Sequence, residues 1–142
     1  MASTSDMLAG DSTIRYFAPM KFSAADSGDG HLIQGYESGR ILIDGKSYHR
    51  GLILTPERIL DGWGPSNPAD LSEDDVRALI ELDPQVIVIG TGQRQVFPSP
   101  AVYASAMRHG VGVEIMDTGA ACRTYNIVMA EGRRIVAGLI VE

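Results

Sequence analysis

Cys122 and Arg123 stand side by side near the start of the stretch "DTGAACRTYNIVMAEG", which reads as a helix. A helix N-terminus and a neighbouring cation both lower a thiol's pKa, so this pair has the composition of an activated nucleophile. The same residues suit an inert core cysteine, because Ala120 and Ala121 point to tight packing and free cysteine is among the most often buried residue types. Arg94 belongs to a second polar loop, "GTGQRQ" (residues 90–95), which leaves the apolar run "VIVI". Arg94, Arg123 and the helix N-terminus could together hold a phosphate or carboxylate, or they could pair with Asp117 or Glu114 and brace the two loops. The candidate crevice therefore consists of Gly90, Thr91, Gly92, Arg94, Gln95, Asp117, Thr118, Cys122 and Arg123.

Several chemistries are excluded by spacing. A dinucleotide fingerprint would need glycine where Gln95 stands, and no G-K-[ST] follows to make a phosphate loop, so Gly90-Thr91-Gly92 reads first as a tight turn out of a buried strand. Asp117-Thr118-Gly119 matches the aspartic protease tripeptide, but those enzymes are all-β and a helix is expected directly after it, so Asp117 and Thr118 read as the cap of that helix. His31, His49 and His109 lack ligand spacing and Cys122 is the single cysteine, so neither a metal site nor a disulfide is expected, and no cofactor is implied. Ser99 lies near the first loop, where it reads as a helix N-cap.

The elements that must position these loops follow from periodicity. "SEDDVRALIELDP" has Ser72 as N-cap, acidic residues in the first turn and Pro84 at its end, which predicts a helix. "QVIVIG" and "VGVEIM" read as strands flanking a helix that begins at Ser99-Pro100 and stops at Gly110. A helix capped by Thr118 and closed by Gly132 leads to a last strand in "RRIVAGLIVE". This strand-helix-strand-helix-strand order implies an α/β domain with a parallel crossover, whose ligand edge carries both polar loops. Upstream, "HLIQGYE", "GRILIDGKSY" and "RGLILTP" predict an antiparallel meander with a hairpin at Asp44-Gly45. "TPERILDGWGPSNPADLS" reads as a surface connection with Trp63 tucked inward. Residues 1–13 are expected to be flexible and residues 14–142 to form one α/β domain.

A net charge of −6 and scattered basic residues argue against nucleic-acid binding. No apolar run reaches the roughly 18 residues of a membrane span, and the start lacks the pattern of a signal or transit peptide, so a cytoplasmic location is expected.

Taken together, "LILTP", Trp63, "IGTGQRQVFPSP" and "GVGVEIMDTGAACRTYNIVMAEGRRIVAGLI" resemble a family of small α/β domains of unknown biochemical activity. It includes respiratory complex I assembly factor 3 of mitochondria and the adipogenesis-associated domain proteins, with many bacterial members. The resemblance implies a three-layer fold with a central mixed β-sheet between helices, and an accessory role through protein contacts. Its pattern positions here are Gly90, Thr91, Gly92, Phe97, Pro98 and Pro100, then Asp117, Thr118, Ala121, Cys122, Arg123, Thr124 and Asn126. Two functions compete on this basis. One is an assembly or interaction protein using a partly apolar surface around Tyr36, Tyr48 and Trp63, with an unidentified protein partner and a homo-oligomer left open. The other is a small-molecule or anion site, or an enzyme, in the crevice between loops 90–95 and 117–123.

Overall fold

Asp44 and Gly45 both adopt positive φ, 51° and 81°, as the two central residues of a tight hairpin turn. In the computed structural model, which describes residues 30–142, that turn joins β2 (Arg40–Ile43) to β3 (Lys46–Tyr48). β1 (Ile33–Glu37) pairs antiparallel with β2, so the predicted meander is a three-stranded sheet in the order β1-β2-β3. The flexible segment expected over residues 1–13 lies outside the described residues.

The third apolar segment does not continue the meander. β4 (Leu52–Leu54) enters a second sheet of order β5-β4-β8-β6-β7, with β5 (Ile59–Asp61), β6 (Val86–Thr91), β7 (Gly112–Met116) and β8 (Ile135–Ile140). The cause lies at Gly51, whose carbonyl accepts from the amides of Gly62 and Trp63 at 2.7 and 2.8 Å. A Cβ at Gly51 would lie 2.0 Å from the Trp63 carbonyl oxygen, so only glycine lets the two backbones meet there. The same pairing makes part of the expected surface connection into β5, and Pro68–Asp70 adds a 3₁₀ turn capped by Asn67. β6 runs parallel to β7 and β8 while β4 is antiparallel to β5 and β8, which gives a mixed sheet.

The helices begin where polar side chains meet the first-turn amides. In α1 (Glu73–Ile80) Ser72 and Asp75 form a reciprocal capping box. α2 (Pro100–Arg108) starts with Pro100 in its first turn. Ser99 occupies the cap position, but its side chain makes no capping bond, contrary to expectation. In α3 (Thr118–Ala130) the cap is Asp117, which accepts from the Ala120 amide at 2.8 Å, one residue earlier than expected.

The central sheet lies between two helical layers. Val76 and Leu79 of α1, Ala106 of α2 and the Trp63 ring cover one face, over Ile87, Ile89 and Val136. Ala121, Cys122, Tyr125 and Met129 of α3 cover the other, where Ile33, Ile41 and Ile43 of the meander join them. Every residue of β6 and β8 is buried, which explains why polar side chains are absent from both but for Thr91 at the end of β6. Fully burying one such aliphatic side chain contributes about 1.5–3 kcal/mol, so these two strands anchor the fold.

Candidate functional site

β6 delivers Gly90, Thr91 and Gly92 to the sheet edge where β7 delivers Met116 and Asp117, because the two strands are parallel neighbours with Gly90 opposite Met116. The predicted loops therefore meet. Their contact is made by backbone and hydroxyl groups. The Gly92 amide donates to Thr118 Oγ1 at 2.8 Å, and the Thr118 amide returns a bond to the Gly92 carbonyl at 2.8 Å. The Thr118 hydroxyl then donates to the Ile140 carbonyl at 2.6 Å, tying β8 into the same junction.

Thr91 does the equivalent within the first loop. Its hydroxyl lies 2.5 Å from the Arg94 carbonyl and 3.2 Å from the Met116 carbonyl, and accepts from the Val96 amide at 3.1 Å. Gln95 Nε2 donates to the Ile115 carbonyl on β7 at 3.0 Å, while the Gln93 amide donates to the Glu142 carboxylate at 2.9 Å. Gly90 is required for a different reason: a Cβ there would stand 2.8 Å from Thr118 Oγ1 and 2.9 Å from Thr118 Cα. The glycine lets the α3 N-terminus settle directly on β6.

The backbone and hydroxyl bonds that join the two loops run through Thr118 rather than through Arg94. Arg94 is exposed and has no carboxylate within ion-pair distance among the described residues, and Asp117 is engaged as the cap. Arg123 is exposed, whereas Cys122 beside it is fully buried against the sheet. Burial pushes the Cys122 thiol up to about 12, which outweighs the opposite pull of Arg123. In this fold the thiol is protonated and enclosed, the reverse of what an activated nucleophile requires.

A pH dependence follows. Because its folded pKa is raised above its unfolded value, Cys122 contributes stability that is complete below about pH 8.5 and is lost as pH rises toward 12. Tyr125, whose hydroxyl is also raised by burial and donates to the His31 carbonyl at 2.8 Å, adds a second loss above about pH 10. Chemical denaturation between pH 7 and 11 is expected to show stability falling by up to about 1.4 kcal/mol per pH unit for each proton. In Cys122→Ala the decline begins later, near the onset of tyrosine ionisation. An unchanged onset in that variant would show that the thiol is not its source.

The expected apolar surface is corrected as well. Trp63 is buried and its Nε1 donates to the Asp75 carbonyl at 2.9 Å; Tyr36 is buried too, and the Tyr48 ring lies 5.3 Å from Lys46 Nζ. The large apolar side chains that do face outward are Phe97, Met107 and Ile127, at 69%, 64% and 60% exposure.

Sequence reasoning missed a pair of clefts at the other end of the sheet. One, of about 360 Å³, is bordered by the β4–β5 turn, Met129 and residues 132–136. The second, of about 500 Å³, extends past Asp83, Gln85 and His109 and shares Arg133 and Arg134 with the first. The adjacency of Arg133 and Arg134 was the one signal in the sequence. Among the described residues no three His, Cys, Asp or Glu side chains gather as metal ligands, and no helix is long and apolar enough to cross a membrane.

Comparison with known proteins adds relatives to this geometry. Residues 33–140 match the model of a family described as "Protein of unknown function (DUF498/DUF598)". The chain is 31% identical over 110 residues to human NADH dehydrogenase (ubiquinone) 1 alpha subcomplex assembly factor 3, covering 76% of this chain but only 59% of that protein. It is 26% identical over 101 residues to a "13 kDa major membrane protein" of Francisella tularensis, covering 70% of this chain and 82% of that one. Among solved structures, a crystal structure of a Bordetella parapertussis protein has 36% sequence identity and a TM-score of 0.76, over 80% of this chain and 98% of that chain.

Proposed function

Since the chain belongs to the DUF498/DUF598 family, whose relatives include assembly factors, we propose that it is an accessory protein that acts by contact with other proteins. The observation that carries this reading is the spending of the loop groups on one another. Gly92, Thr91, Thr118 and Gln95 are all bonded across the sheet edge, so the family's two motifs serve as a rigid corner. Phe97, at the end of the first motif, is left facing outward as contact surface.

In its finer form the proposal is a role in assembling a respiratory NADH dehydrogenase, in the cytoplasm, with no cofactor. The support is the name of the relatives, of whose length this chain spans about 59%. The alternative, a small-molecule or anion site between loops 90–95 and 117–123, is disfavoured by the burial of Cys122 and by the mutual bonding of the loops.

Affinity purification of the tagged full chain from its native host, followed by mass spectrometry, tests the proposal. A respiratory NADH dehydrogenase subunit enriched several-fold over an untagged control is expected, with loss of that enrichment in Phe97→Asp. Recovery of the chain alone, or of copies of itself alone, would overturn it.

A further inference from the structure

The two clefts at the loop-distal end are joined by arginines that rigid backbone holds in place. Arg58 closes the β4–β5 turn, where Thr55 and Arg58, flanking Pro56 and Glu57, exchange backbone bonds of 2.9 and 3.4 Å. Thr55 Oγ1 accepts from the amides of Glu57 and Arg58 at 3.2 and 2.9 Å, and the Pro56 carbonyl accepts from the His31 amide at 2.8 Å. Across the cleft, Arg133 and Arg134 follow the α3 terminus just before β8. The Arg134 amide donates to Gln85 Oε1 at 2.9 Å, and the Gln85 amide donates to the Arg134 carbonyl at 2.8 Å.

The charges do not cancel. Arg134 is engaged by Asp83, through Nε to the carbonyl at 3.0 Å and to the carboxylate at 3.9 Å. Arg58 and Arg133 have no carboxylate within ion-pair distance among the described residues, although Glu57 lines the same cleft. The smaller cleft is lined by three arginines and one acid, Glu57; with Arg134 engaged by Asp83, its positive excess is carried by Arg58 and Arg133, on a chain whose net charge is −6. A positive cleft on an acidic molecule concentrates anions that the rest of the surface repels. Its size suits a metabolite-sized group and is too small for a nucleic-acid backbone track.

We propose that the cleft between the β4–β5 turn and the α3–β8 connection is an anion site. Arg58 and Arg133 clamp a phosphate group from opposite walls, with Arg134 beside them. Guanidinium groups match phosphate oxygens bidentately, and a phosphomonoester, carrying nearly two charges near neutral pH, answers the excess of positive charge. The phosphate is that of a small phosphorylated molecule or of a lipid headgroup.

Amide spectra of the full chain, titrated with inorganic phosphate at constant ionic strength set with chloride, test the site. Saturable shifts at Arg58, Gly132, Arg133, Arg134 and Ile135 are expected, with at least tenfold weaker affinity in the doubly substituted chain Arg58→Gln, Arg133→Gln. Both side chains are exposed, so a well-dispersed spectrum of that chain is expected and serves as the folding control. Flotation with vesicles containing phosphatidic acid, compared with neutral phosphatidylcholine vesicles, separates the two sources. Binding to the acidic vesicles alone, lost in the double variant, assigns the headgroup; its absence beside phosphate-induced shifts assigns a soluble ligand. No shifts, or shifts unchanged in the double variant, would overturn the site.

Discussion

Gly90→Ala is expected to lower the free energy of unfolding by about 3 kcal/mol, the upper range for overpacking a close-packed contact. The added methyl meets Thr118 Oγ1 at 2.8 Å, Thr118 Cα at 2.9 Å and Ala121 Cβ at 3.1 Å, and none of these is the free end of a flexible chain. Relief requires the α3 N-terminus to retreat from β6, which strains the bonds from Thr118 to Gly92 and Ile140. Gly45→Ala provides the contrast. Gly45 has φ 81° but nothing within 4 Å of an added Cβ, so the cost there is of backbone conformation alone, about 1 kcal/mol. Urea titrations of both variants measure the difference. Equal losses would mean that α3 does not sit on Gly90 as tightly as its position indicates.

Asn126→Leu is expected to cost about 2–5 kcal/mol, because it strands two buried backbone groups at once. Asn126 Oδ1 accepts from the Ile33 amide at 3.0 Å, and Asn126 Nδ2 donates to the Ile33 carbonyl at 2.8 Å. One side-chain amide on α3 thereby completes the hydrogen bonding of β1, where the register with β2 slips between Ile33 and Gly35. Leucine matches the volume and keeps the apolar packing, so the loss reports the missing bonds rather than a cavity. Against a total stability of about 5–15 kcal/mol, the meander is expected to detach or the chain to unfold. Near-ultraviolet circular dichroism and denaturant midpoints check this; a change below about 1 kcal/mol would show that water replaces the amide.

The sequence disclosed most of the second half of the fold because each element there has a local cause. Ser72 with Asp75, Pro100, Gly110 and Gly132 mark helix ends within one turn of where they act. Thr118 was harder to read. Asp117 and Thr118 are both short polar residues suited to capping, and what separates them is the bonding of Thr118 to Gly92 and Ile140, 26 and 22 residues away. The departure of β4 from the meander hid for the same reason, since it depends on Gly51 meeting Trp63. The clefts were least legible: Arg58 and Arg133 are 75 positions apart, and only the β4-β8-β6 order brings their ends together. The nucleophile idea failed on a point that spacing does not carry, namely which face of α3 the thiol occupies.

The Thr118 hydroxyl, which accepts from one strand's exit and donates to another's, also governs how the molecule opens. A loop secured by its own residues can lift away while the rest stays folded. Here the exit of β6, the end of β8 and the first turn of α3 share one oxygen atom, so none of them has a private route to solvent. The amide protons of Gly92 and Thr118 are therefore expected to exchange with the core rather than by a local opening, which hydrogen exchange measures.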